Sequence, residues 1–438
     1  MMNLKAHKAY EELKEIVEED IIRHTNYEGI IHLKEEDIDV VHFKNIDVER
    51  NYVRNYCSII HVSLIMNSKD ILIKIHEEED NLEFTLLENE KDPVRYKAIL
   101  DNNVDTMEPN RMKKTSEAPD VELGEINLQL VELPVEPLSL LSIGGIFTSP
   151  NRTVFLKDVI EKISATLKIK GKKPIDEVNI DSLNNESPMN QVVIPTNIPL
   201  LSLPSFINEE GGGMYVGGVG SFIQRYQDKL QWFIYPPYDN TRYQTAKNKL
   251  IIYTLDQDYP NLWTNSYDDE EEGKLKIVAS ITPANMDNKR SDVKNRTYGT
   301  EVINSDKIFK EPVKATDSSI IFSDETHIKQ VHKVRNDNLD IINRKHIRIT
   351  SNDSTVSREA LINSGHRFDV LWHHSDFTLL RPNMKTLLFI EGLDGLWKHE
   401  GVLSHTHTII GSTSKGLRTT KYVQSTKLTI FAGEGKLV

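Results

Sequence analysis

Four short apolar runs between residues 52 and 100 alternate with polar neighbours, and this period of two constrains the chain more than any other feature. Ile60, Val62 and Leu64 form the first run and Ile71, Ile73 and Ile75 the second. Leu82, Phe84 and Leu86 form the third, and Val94, Tyr96 and Ala98 the fourth. Successive side chains of a strand leave opposite faces, so each run buries one face and wets the other. Asn67-Ser68-Lys69-Asp70 and Glu78-Glu79-Asp80-Asn81 supply turn chemistry between runs, which predicts an antiparallel meander or small barrel. Residues 101–120 read as a long loop or insertion, and Ile126, Leu128 and Leu130 as the strand that closes this first β unit.

Elsewhere the period lengthens. Leu4, Tyr10, Leu13, Ile16, Val17 and Ile21 share one side of a helix over residues 4–24, with glutamates opposite. Such a helix either packs on its own domain or serves as an arm that clamps a neighbouring subunit. Leu156, Val159, Ile160, Ile163 and Leu167 mark a second helix, opened near Asn151 and stopped at Gly171. Beyond an apolar stretch from Ile198 to Ile207, interrupted by Pro204, lies the glycine-rich run 211–220. A short helical run from Phe222 to Leu230 and strands at 232–235, 250–255 and 275–281 follow, which together suggest an α+β unit. Residues 282–345 are rich in Asn, Asp, Lys, Ser and Arg and read as an extended connection draped over another surface or chain. Strands return at 347–349, 368–372, 387–390, 397–410 and 422–431, with Gly411 and Gly416 marking a hairpin turn.

The expected fold class is therefore α+β and β-rich, with two small antiparallel β-barrel domains, an inserted α+β domain and an N-terminal helix. The expected boundaries are an N-terminal helical arm at 1–50, a first barrel at 51–135 and an α+β domain at 136–281. The extended connection covers 282–345 and a C-terminal barrel 346–438.

The chemistry-bearing residues do not assemble into a known catalytic pattern. The glycine run ends without the Lys-Ser or Lys-Thr of a phosphate loop and lacks the dinucleotide spacing, so it is expected to be a flexible or tightly packed turn between two segments. His405 and His407, two apart on a strand, leave the same face, with His399 in register and His373 and His374 nearby in sequence. A metal site needs a further matching ligand on a rigid frame, so these histidines are expected to be structural. His76 has no second histidine four residues on, and the acidic run Asp268 to Glu272 lacks the ligand order of a calcium loop. Catalytic, cofactor-binding and metal-binding residues are all expected to be none. Carboxylate pairs gathered only by folding stay invisible in a sequence, which leaves an enzyme alternative open.

Among 438 residues, Cys57 is the single cysteine, which excludes an intramolecular disulfide and a cysteine-based zinc site. That suits a protein made in a reducing cytosol. A net charge of -13 speaks against a nucleic-acid coat or a docking face for anionic membranes. Residues 1–10 lack the apolar core of a signal peptide, and no stretch reaches the ~20 apolar residues of a membrane span.

Two blocks carry a resemblance. The first runs from Ile126-Asn127-Leu128-Gln129-Leu130-Val131-Glu132 through Val135-Glu136-Pro137-Leu138-Ser139-Leu140 and Gly144-Gly145-Ile146-Phe147 to the helix with Phe155 and Leu156. The second runs from Leu380-Arg381-Pro382-Asn383-Met384 through Gly401-Val402-Leu403 and His405 to His407, closing with Lys427 to Phe431. In element order and hydrophobic pattern they resemble the baseplate hub proteins of contractile phage tails, a family shared with type VI secretion machines. The resemblance implies a non-enzymatic structural virion protein, assembled in the host cytoplasm. Three copies would form a pseudo-six-fold ring between the hexameric tail tube and the trimeric central spike. Partners would be further copies of the chain, the tube protein, the spike and baseplate wedge proteins, with neither a membrane nor a specific nucleic acid. The alternatives are another tail-tube or wedge component, or a carbohydrate- or peptidoglycan-cleaving tail enzyme. The N-terminal helix, the 101–120 insertion and the 282–345 connection depart from a minimal hub and suit extra docking arms.

Overall fold

The computed structural model describes residues 25–67, 70–75, 81–89, 91–101, 123–149, 151–167, 173–186, 188–211, 213–239, 246, 248–255, 266–269, 273–281, 365–392, 395–412 and 421–437. The expected helix at 4–24, the 282–345 connection and the strand at 347–349 lie outside these residues, as does nearly all of the 101–120 insertion.

The chain begins with β1 (Thr25–His32), β2 (Asp37–Asp39), β3 (His42–Asn51) and β4 (Ile59–Asn67). These are followed by β5 (Glu83–Glu88), β6 (Val94–Leu100) and β7 (Leu123–Glu132). A helical and mixed stretch holds α1 (Val135–Leu140), β8 (Ser142–Ser149), α2 (Arg152–Thr166), β9 (Glu177–Ile180), β10 (Met189–Pro199), α3 (Leu203–Glu209), β11 (Gly220–Tyr226) and β12 (Lys229–Tyr235). Then come β13 (Lys249–Leu255), β14 (Ser266–Asp269), β15 (Lys274–Ile281), β16 (His366–His373), β17 (Lys385–Gly392), β18 (Gly395–Ser412), β19 (Lys421–Ala432) and β20 (Lys436–Leu437).

Strand pairing closes on itself twice. The order β1-β5-β6-β7-β4-β3-β18-β19 returns to β1 through antiparallel pairs throughout. A second order, β13-β17-β18-β19-β16-β15, returns to β13, which runs parallel to both of its neighbours. The β18–β19 pair belongs to both rings. Residues of β18 up to Val402 pair with β17, and residues from His405 pair with β3. The register of β18 on β19 shifts between Leu403 and His405, where the Ser404 hydroxyl donates to the Thr429 carbonyl at 2.9 Å. A bulge bends and re-aims a strand, and here it carries β18 from one ring into the other.

Each ring encloses its own apolar core. Phe43, Leu64, Phe84, Leu128 and Tyr422 are buried in the first, and Ile277, Val370, Trp372, Leu388 and Ile430 in the second. Where the shared strands pass between these cores, the buried side chains become polar. Thr408 and Thr426 face each other across the pair with hydroxyls 2.9 Å apart, and Ser375 reaches Thr426 at 2.6 Å. A third core gathers Phe155, Leu156 and Ile160 of α2, Ile207 of α3, and Trp232 and Ile234 of β12.

Several sequence expectations hold. The helix over 152–166 starts where expected, with the Asn151 side chain accepting from Val154 N at 2.8 Å. Its apolar positions Leu156, Val159 and Ile160 are buried. Strands occur in all the expected C-terminal stretches that are described, and β18 and β19 pair antiparallel as a hairpin requires.

Three expectations need correction. Residues 25–50, placed in a helical arm, form β1, β2 and nearly all of β3, because Tyr27, Gly29 and Ile31 alternate inward against β5 and Phe43, Ile46 and Val48 build the same core. The second apolar run is no strand: Asp70–Ile75 is a π-helical turn with Ile75 buried and Lys74 bonded to Asp70 and Glu36. A run this short fits several local conformations, and the alternation alone does not distinguish them. The helical run to Leu230 is instead the β11–β12 hairpin, since Tyr226 pairs with Lys229 and the two turn residues between, Gln227 and Asp228, have φ of 49° and 59°. Two positive φ values make the turn whose twist matches its strands.

Candidate functional site

A cavity of about 290 Å³ lies at the mouth of the first ring, where the ring meets the β11–β12 turn and the single helical turn at Phe377–Leu379. Arg50 of β3 crosses this seam. Its Nε donates to Ser58 Oγ at 3.2 Å, its Nη1 donates to the Phe377 carbonyl at 2.9 Å, and its guanidinium lies 4.8 Å from the Phe377 ring centre. Opposite, Arg225 of β11 donates from Nη2 to Glu132 Oε2 at 3.4 Å and from Nη1 to the Asp228 carbonyl at 3.3 Å. Glu132, the last residue of β7, is buried. That burial raises its carboxyl above the ordinary value, and Arg225 offsets part of the rise.

A buried carboxyl with a raised pKa in a cavity is also what a general acid looks like. Glu88 and Asp92 line the same cavity, together with Tyr27, Tyr96, Tyr226 and Phe377. The aromatic side chains do not form an open stacking platform. Tyr27 and Tyr96 are buried, and the Tyr27 hydroxyl accepts from Gln424 Nε2 at 2.7 Å. The arrangement clamps three parts of the chain together, with charged ties at a seam.

His405 and His407 sit side by side on the face of β18 that overlies β3. His405 Nε2 lies 3.2 Å from Glu49 Oε1, and His407 Nε2 lies 2.6 Å from Asp47 Oδ1. In the strand register His407 stands opposite Glu49, so each histidine reaches diagonally and the four side chains form a ladder. Burial lowers the His405 imidazole below its ordinary value, partly offset by Glu49. His399 is separate: its ring packs 4.7 Å from the Phe368 ring, and its Nδ1 lies 3.2 Å from the Gly433 carbonyl oxygen. Among the described residues, no three or more His, Cys, Asp or Glu side chains gather as a metal site requires.

Of the two turn forms open from sequence, the described part of the glycine-rich run, Gly213–Gly220, takes the packed one. Asn208 of α3 accepts from Met214 N at 2.9 Å and Tyr215 N at 2.8 Å, and Asn184 accepts from Val216 N at 3.2 Å. The amides of Met214, Tyr215 and Val216 are therefore engaged and not free to cradle a phosphate. Gly213 and Gly218 take φ of 80° and 89°, which explains why glycine stands there. Cys57 forms an isolated bridge with Ile223, and burial pushes its thiol up to about 12, which favours the protonated thiol over the thiolate at neutral pH.

No family model matches this sequence, and neither does any curated protein sequence. Solved structures do. The 43 kDa tail protein of prophage MuSo2 from Shewanella oneidensis matches over 92% of this chain and 96% of its own, at 10% identity and a TM-score of 0.45. The E. coli c3393 protein is a component of the type VI secretion system with structural similarity to the T4 bacteriophage tail proteins gp27 and gp5. It matches over 92% of this chain and 77% of its own, at 9% identity and a TM-score of 0.41. The Francisella PdpA–VgrG complex matches over 98% of this chain and 61% of the matched one, at 12% identity and a TM-score of 0.36. These neighbours are phage tail and type VI secretion proteins.

Sequence reasoning named His405 and His407 but missed the seam of Arg50, Glu132 and Arg225. Glu132 ends a run of alternating residues and was legible as an inward position, since Ile126, Leu128 and Leu130 point the same way. Nothing local marks Arg225 as its partner, because the two are 93 residues apart.

Proposed function

We propose that this chain is a structural subunit of a contractile tail's baseplate, a hub that joins the hexameric tail tube to the trimeric central spike as a ring of three copies. The observation that carries this reading is the pair of closed strand rings in one chain, fused through β18 and β19. We take each ring as a barrel. Two barrels per chain, repeated three times, present six comparable surfaces to a six-fold tube, while the chain as a whole keeps the three-fold symmetry of a spike.

Further support comes from what the seams do. The cavity residues bind the chain to itself through charged ties, and the histidine ladder spans β18 and β3. Closed rings leave few strand edges of their own, so contacts with other subunits fall to elements outside them. The α+β unit and the edges of β2, β14 and β20 are therefore the parts that meet spike, tube or wedge proteins. The acidic character of the chain also suits a conduit through which DNA passes without sticking, since like charges repel. In this reading the protein resides in the virion, is assembled in the host cytoplasm and catalyses no reaction.

The test is the copy number and symmetry of the protein in the assembled particle, by electron cryo-microscopy. Three copies on the tail axis, with both barrels of each facing the tube, are expected. Six equivalent copies in a true six-fold ring, or a position off the axis, would overturn the hub assignment.

A further inference from the structure

The cavity at the mouth of the first ring has an apolar wall and an under-bonded polar one. Its volume of about 290 Å³ equals that of roughly ten water molecules at ~30 Å³ each. Ile46, Val48, Ile60 and Ile410 are buried and, with Leu86 and Val94, supply the apolar wall. Lys91, Asp92, Gln227 and Asp228 also line the cavity and are exposed, so it opens to solvent. The mouth of a β-barrel, largely apolar with a few placed polar groups, is a common seat for small molecules.

Three polar side chains of the lining lack full partners. Tyr96 is buried, and its hydroxyl makes no hydrogen bond among the described residues. Arg225 Nε is buried without an acceptor. Glu132, buried as well, makes one hydrogen bond, the 3.4 Å contact from Arg225. Buried polar groups are ordinarily hydrogen-bonded, so three such groups lining one cavity point to a group that bonds them from inside it. Charge narrows its nature. Arg50, Lys91 and Arg225 stand against Glu88, Asp92, Glu132 and Asp228. A carboxylate or phosphate head would add to the excess of negative charge, and a cationic head would leave the Arg225 and Tyr96 donors without an acceptor. An uncharged hydroxyl can accept from Tyr96 or Arg225 and donate to Glu132.

We propose that this cavity binds a small uncharged amphiphile of about ten non-hydrogen atoms, with its hydroxyl among Tyr96, Arg225 and Glu132 and its apolar body along Ile46, Val48, Ile60 and Ile410. Such a site belongs to the single chain and does not depend on the hub reading.

1-Octanol, octanoate and octylammonium share one tail and differ in the charge of the head. Titrated into the full chain at neutral pH and followed by calorimetry, 1-octanol is expected to bind saturably at a single site. Each charged analogue should bind at least about tenfold more weakly, since its head must shed water without a matching partner. Tyr96→Phe keeps the ring and removes the hydroxyl. It should retain the wild-type thermal unfolding curve and weaken 1-octanol by about three- to tenfold, the range of one hydrogen bond. In wild type with methyl-labelled isoleucine and valine, cross-relaxation from the octanol chain should reach Ile46, Val48 and Ile410. Absence of saturable binding, equal affinity for the three heads, unchanged affinity in Tyr96→Phe, or contacts to methyl groups elsewhere would each overturn the proposal. If Tyr96→Phe alters the melting curve, the head-group series and the methyl contacts of wild type decide the matter. Copy number in the particle, which judges the hub reading, is indifferent to all of these results.

Discussion

Arg225 Nη2 lies 3.4 Å from Glu132 Oε2, and this pair ties the β11 edge of the α+β unit to the last residue of β7 in the first ring. The two ends are unequal: the Glu132 side chain is 7% exposed and that of Arg225 34%. Burial raises the Glu132 carboxyl, so the folded chain holds its proton to a higher pH than the unfolded chain does. The stability from this group is full below the ordinary carboxyl value of 4.5 and is lost as pH rises through the raised one. Glu132→Gln should therefore gain on wild type in thermal stability between pH 4.5 and neutral. Arg225→Ala removes the compensating charge and should lower stability by about 2 kcal/mol at neutral pH, an effect relieved by acid. Differences from wild type that are flat with pH in both variants would refute this account of the seam.

His405 titrates in the opposite sense. Because burial lowers the His405 imidazole, the stability it contributes is present above its ordinary value of 6.5 and lost as pH falls through the lowered folded value. His405→Gln should flatten that acid loss, read as the melting temperature between pH 7 and pH 5. With Glu49 and Asp47 as their partners, His405 and His407 should hold no metal. Elemental analysis of protein made without a histidine tag should find no stoichiometric transition metal. One zinc per chain, lost in the His405→Ala, His407→Ala double variant, would contradict the ladder.

Asn208 carries the glycine-rich turn, with its side-chain oxygen accepting from two buried backbone amides. Asn208→Ala leaves both donors without that acceptor and should destabilise the chain by about 3 kcal/mol in urea unfolding. Nucleotides should shift the melting temperature of neither wild type nor variant. A nucleotide-dependent rise in wild type abolished by the substitution would restore the phosphate-loop reading.

What the sequence made legible was local. The alternation through Ile60, Val62 and Leu64 and through Phe84 and Leu86 marks strands wherever the inward residues face one continuous core. The opening of α2 near Asn151 and its apolar face were equally plain. Three kinds of feature were hidden. Asp70–Ile75 carries a strand-like pattern but forms a π-helical turn, with Lys74 bridged to Glu36, distant in sequence. Gln227-Asp228 makes a hairpin turn without the usual Asn-Gly signal. The Glu132–Arg225 pair and the joining of β18 to β3 depend on residues far apart in the chain, and no window of sequence contains both partners.

That joining leads to the last expectation. Alternation in two separated blocks suggests two ends that fold independently, and the pairing argues against it. The first ring closes only when β3 meets β18 and β1 meets β19, so residues 25–132 by themselves have two open edges. Ile410 and Tyr422, from the C-terminal strands, lie in the core of the first ring. Likewise the second ring needs β13 and β15, which precede the C-terminal strands by more than eighty residues. A fragment of residues 1–281 lacks β18 and β19 and should show no cooperative thermal transition, with its open edges prone to aggregation. Mixing or co-expressing it with residues 365–438 should restore a single transition seen alike by circular dichroism and by tryptophan fluorescence, which reports on Trp372 in the second core and Trp232 in the third. Two well-separated transitions in the intact chain, or a 1–281 fragment that melts cooperatively alone, would show that the shared strands are not what holds the two rings together.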